Sequence, residues 1–185
     1  EGKLLEGLRA KNSSLVMTLE EMKRRIAEQD PGFESFDKEL NRRVVEKVKS
    51  GETLQRASIY YVREVIERSG ITEPLVVIGM GPPFHPAVSN HYIDRDVEVL
   101  MDRLASILKT KHGLRAVQIP YAYFMTDMSY MSCIDPEGAS RVMDNMGVPK
   151  ELYNIDFDLL VDLNVPALHI GPAGKAIHQA WERVY

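Results

Sequence analysis

Leu75-Val76-Val77-Ile78 is a continuous apolar run rich in β-branched residues, and Gly79-Met80-Gly81-Pro82-Pro83 follows it at once. A run of this length and composition reads as a buried strand. The glycines and prolines behind it cannot continue as regular helix. Two further runs read as strands, 116–119 and Pro166-Ala167-Leu168-His169-Ile170. Between and after them the pattern turns helical. Val97, Leu100, Met101, Leu104, Ile107 and Leu108 recur behind a candidate cap at Asp94, and His112-Gly113 ends the series. Residues 157–163 read as a short helix and 174–184 as a final one. Strands alternating with helices predict an α/β layered sheet.

Upstream of the run the chain reads as helix. Thr18 and Glu21 have the spacing of a capping box, and Met22 and Ile26 follow at helical intervals. Asp30-Pro31-Gly32 breaks that helix. A second helix is expected over 36–49, with Leu40, Val44 and Val48 on one stripe, and a third over 53–69, with Gly70 as its stop. Composition and pattern both shift near 79–83, the expected domain boundary. This divides the chain into a helix-rich unit, 1–80, and a second unit, 81–185.

Composition narrows the function classes. The chain has 185 residues, 44% of them hydrophobic, and a net charge of -4. That is the balance of a globular protein long enough to bury a core. An acidic chain is not expected to bind nucleic acid by default. No apolar run approaches the roughly 18 residues of a membrane span. The single cysteine, Cys133, excludes an intramolecular disulfide and a multi-cysteine zinc site. A reducing, cytoplasmic compartment is the simplest expectation. The chain opens on Glu1 and stops at Tyr185 behind an amphipathic segment, which we expect of a piece of a longer protein.

The strongest chemical signal is Gly171-Pro172-Ala173-Gly174-Lys175-Ala176-Ile177-His178-Gln179-Ala180-Trp181-Glu182-Arg183-Val184. A glycine-bearing turn between strand and helix lets backbone approach a ligand closely, and a helix N-terminus favours anions. His178 and Glu182 are four apart, so on a helix they share one face. Two readings follow: His178 ligates a metal, or the pair is a solvated His/Glu couple on a surface helix. The second signal is Phe124-Met125-Thr126-Asp127-Met128-Ser129-Tyr130. Polar groups at the end of a buried strand sit where open α/β sheets bind ligands. Asp127 either orients a ligand there or closes an Asx-type turn.

Other candidates are weaker. His85, within Pro82-Pro83-Phe84-His85-Pro86, reads as a loop histidine. Asn90, His91 and Tyr92 line a cleft or a solvated turn. Cys133 lacks an adjacent histidine and reads as a small buried hydrophobe. Gly79-x-Gly81 is too short for a dinucleotide fingerprint.

Gly171-Pro172-x-Gly174-x-x-x-His178-x-x-x-Glu182-Arg183-Val184, with Thr126-Asp127 upstream, resembles the C-terminal signature of the dinuclear zinc exopeptidases, which include aminoacylases, carboxypeptidases and desuccinylases. Asp127-Met128-Ser129-Tyr130 makes the arginine-utilisation group the most similar branch. The resemblance covers 75–185. It implies an α/β fold: the C-terminal part of a catalytic sheet, plus a helix-rich part of an inserted lid and dimerisation domain in 1–80. It further implies two zinc ions with a bridging carboxylate and water, a glutamate base, and hydrolysis of an amide or peptide bond. The implied partners are a small-molecule or peptide substrate and a second copy in a homodimer. His178 matches the zinc-ligand histidine. Gly171 and Gly174 match the turn at the substrate end, and Asp127 matches a loop residue near the cleft. The family's His-x-Asp, bridging Asp and Glu-Glu elements do not occur in this chain, which is therefore expected to be inactive by itself. Two alternatives stand beside this reading: a non-catalytic dimerisation or scaffold module, and an anion-binding α/β domain using the 171–175 turn.

Overall fold

The computed structural model describes residue 6 and residues 16–90, 97–119, 127–171, 174–175 and 180–184. The first helix, α1, spans Leu19–Gln29. The Thr18 hydroxyl accepts from the Glu21 backbone N–H at 3.1 Å, and the Glu21 carboxylate accepts from the Thr18 N–H at 2.8 Å. This reciprocal cap satisfies two amides that a helix start would otherwise leave unpaired. At the break, the Asp30 carboxylate accepts from the Gly32 N–H at 2.9 Å. The chain then re-enters helix as α2, Phe33–Lys49. Helix α3, Leu54–Arg68, starts where the Thr53 hydroxyl accepts from the Arg56 N–H. It stops at Gly70, whose φ of +67° favours glycine.

These three helices share one core. Ile26, Phe33, Leu40, Val44, Ala57, Tyr61 and Val65 are buried against one another. Leu40, Val44 and Val65 are the largest side chains with essentially no solvent exposure. Truncating a leucine in such a position costs about 2–5 kcal/mol. Tyr61 brings a hydroxyl into this core, and it donates to the Asp37 carboxylate. Asp37 in turn pairs with Lys23 at 2.8 Å, so the polar end of the ring is satisfied where α1, α2 and α3 meet.

A second core lies further along the chain. Helix α4 spans Val97–His112 and ends at Gly113, φ +65°. A 3-10 turn covers Asp127–Tyr130. Helix α5, Pro136–Asp144, is capped by Asp135, which accepts from the Gly138 N–H at 2.8 Å, with Pro136 in the first turn. Helix α6, Phe157–Leu163, is capped by Asp156 and ends at Asn164 in the left-handed region. Phe84, Cys133, Ala139, Met143, Met146, Phe157 and Leu160 form this core, to which α5 and α6 contribute. The rings of Phe84 and Phe157 meet edge to face at 6.3 Å.

The two cores are joined by specific contacts. The Ser58 hydroxyl on α3 donates to the Met146 carbonyl. The Gln55 amide donates to the Pro82 carbonyl at 2.7 Å. The Asn145 side-chain oxygen accepts from the Glu20 N–H at 3.1 Å. Gly147, φ +66°, packs so closely that a Cβ there would lie 2.8 Å from Val62 Cγ2.

The expected α/β fold with a catalytic sheet is not what forms. The chain is mostly helical. Among the described residues, β structure is a single antiparallel pair, β1 (Gly174–Lys175) with β2 (Arg183–Val184). The three runs read as buried strands form no regular secondary structure, and most of their apolar side chains are open to solvent: Val76 is 88% exposed, Ile119 72% and Ile170 67%. A β-branched run becomes a strand only where a neighbouring strand pairs its backbone, and no such ladder exists here among the described residues. The 166–170 run illustrates this. Its Ala167 N–H and carbonyl bond to the side-chain amide of Asn90, at 2.9 and 2.8 Å. The expected cap Asp94 lies outside the described residues.

Candidate functional site

The glycine-rich signal is built differently from its expected geometry. Gly174 pairs with Val184 and Lys175 with Arg183 in an antiparallel register. A helix running through 174–184 is therefore not formed, since both of its ends are strand. Gly174 is needed by this pairing, because a Cβ would lie 2.7 Å from the Arg183 carbonyl oxygen. Gly171 is exposed, and a Cβ there would meet nothing within 4 Å. Glu182 is exposed just before β2. His178 lies outside the described residues, as do Pro172 and Gln179. Glu182 stands at a strand end and not on a helix, which corrects the expected helix face. The proposed role of His178 rests on the sequence pattern alone.

The second signal falls in ordered structure. Asp127 opens the 3-10 turn, whereas Phe124, Met125 and Thr126 lie outside the described residues. The turn carries Ser129, which is buried, and Tyr130, whose hydroxyl donates to the Phe84 carbonyl at 2.8 Å. The Tyr153 hydroxyl accepts from the Phe84 N–H at 2.7 Å. Tyr153 also reaches the Phe84 carbonyl at 3.3 Å, so the two tyrosines hold the backbone of Phe84 on both sides of its Cα. Next to it, the His85 ring sits 5.4 Å from the Tyr130 ring. The His85 Nδ1 is buried and has no hydrogen-bond partner among the described residues. The turn that begins at Asp127 and the proline-flanked segment around His85 are therefore neighbours. In the sequence they stand about 40 residues apart, with no motif linking them.

Cys133 lies in the second core. Burial pushes its thiol pKa up, and the Asp135 charge acts the same way, while a hydrogen bond with the Asp135 backbone opposes them. A thiol held in its neutral form is a poor nucleophile, so the structure assigns Cys133 to packing. It borders a cleft of about 260 Å³ with Phe84, Pro86, Asp135 and Arg141.

Sequence reasoning missed a larger cleft of about 400 Å³ where the two cores meet. Lys23, Asn41, Tyr61, Asp144, Lys150 and Tyr153 line it. Its two lysines are engaged, Lys23 with Asp37 at 2.8 Å and Lys150 with Asp144 at 2.9 Å. These residues come from four distant stretches of chain, so no local motif marks them.

Among the described residues, no group of three or more His, Cys, Asp or Glu side chains is arranged to hold a metal ion. No helix among them is long and apolar enough to cross a membrane.

Comparison with known proteins adds one relative. The chain is similar to the uncharacterized protein YqjN of Bacillus subtilis (strain 168), with 26% identity over 170 residues. The match covers 92% of this chain but 30% of that protein, so the chain spans under a third of the relative's length. No family model matches the chain. No solved structure matches it.

Proposed function

We propose that this chain is part of a zinc-dependent amidohydrolase or exopeptidase that cleaves an amide or peptide bond in amino-acid catabolism, arginine catabolism included. The observation that carries the reading is the run Gly171-Pro172-x-Gly174-x-x-x-His178-x-x-x-Glu182-Arg183-Val184, with Asp127-Met128-Ser129-Tyr130 upstream. In this reading His178 supplies one ligand to a two-zinc centre whose other ligands lie in a longer polypeptide. Gly171, Gly174 and Asp127 lie beside the substrate. The whole protein works in the cytoplasm as a homodimer. The donor set among the described residues does not make a zinc centre, so no catalytic step is assigned to them. The test is hydrolysis of N-acyl amino acids and dipeptides by the complete gene product and by its His178→Ala variant. The reading expects the variant to lose activity by orders of magnitude while remaining folded. Equal activity of the two forms removes His178 from the site.

A second reading, a non-catalytic interaction module, is favoured by a different observation. Val76, Val77, Ile78, Val117, Ile119 and Trp181 are each more than half exposed. Three of them, Val76, Val77 and Ile78, are consecutive in the chain, and an exposed apolar stretch is one that a partner can cover. Light scattering of the chain over a concentration series tests it, and a monomer at every concentration argues against self-association. The anion-binding alternative uses the 171–175 turn, of which Gly174 and Lys175 stand in β1.

A further inference from the structure

We draw no further inference here: the strongest candidate, the exposed apolar surface of α4 and of the extended segments 75–80 and 114–119, carries nothing, because nothing in the structure shows what covers it.

Discussion

The Ser58 hydroxyl donates to the carbonyl of Met146, 88 residues away, and so ties α3 to the second core. Both residues are buried, so the bond has no water to replace it. Ser58→Ala leaves that carbonyl without its donor, which costs about 1–3 kcal/mol. Urea denaturation of the variant checks this. A loss below about 0.3 kcal/mol contradicts a tight joint between the two cores.

Gly147 offers a sharper test of the same joint. Its φ is +66° and its neighbours are Val62 and Tyr61, whereas Gly113 has φ +65° and open space around it. An alanine at either position meets the same backbone strain, of order 1 kcal/mol. Only at 147 must packed side chains also move. Gly147→Ala should therefore lower stability by at least about 1 kcal/mol more than Gly113→Ala in matched thermal melts. Equal losses would mean that the close approach to α3 is absent in solution.

Gly171 and Gly174 occupy equivalent places in the sequence signature but not in the structure. Gly174→Ala drives a methyl group into the Arg183 carbonyl, and Gly171→Ala meets nothing. Hydrogen exchange at the amides of Lys175 and Arg183 should accelerate about tenfold or more in the first variant and stay unchanged in the second. Acceleration in neither variant would remove the β1–β2 pair.

Cys133 gives a pH dependence with a defined sign. Burial raises its pKa in the folded protein above the value in the unfolded chain. Between those two values the folded state binds more protons than the unfolded state, so stability falls as pH rises. The contribution is fully present below the unfolded pKa and is lost as pH rises through the folded one. Cys133→Ala should therefore lose less stability than the parent between neutral and alkaline pH. A thiol reagent should also modify the folded protein far more slowly than the unfolded one. Rapid modification without unfolding contradicts the burial.

The helical half of the fold was legible because its signals are local. The capping box of Thr18 and Glu21, the break at Asp30-Pro31-Gly32 and the stops at Gly70 and Gly113 each depend on a few adjacent residues. Helix α5 was missed although Asp135-Pro136 is a cap followed by a first-turn proline. The sheet was misread for the opposite reason. Val76-Val77-Ile78 is a good strand former, but pairing depends on a second segment that the local pattern cannot supply. The same limit applied to the site. Gly174 is expected to let backbone approach a ligand, and the group that lies against it within the chain is the Arg183 carbonyl in a strand pair. The neighbouring of His85 and Tyr130 spans 45 residues, and no spacing rule reaches that far.

Zinc stoichiometry of the complete gene product, measured by elemental analysis beside its His178→Ala variant, tests the functional reading most directly. The reading predicts close to two zinc ions per chain and a clear deficit in the variant, with unchanged secondary structure. A complete protein that binds no zinc, or a variant that binds as much as the parent, contradicts it.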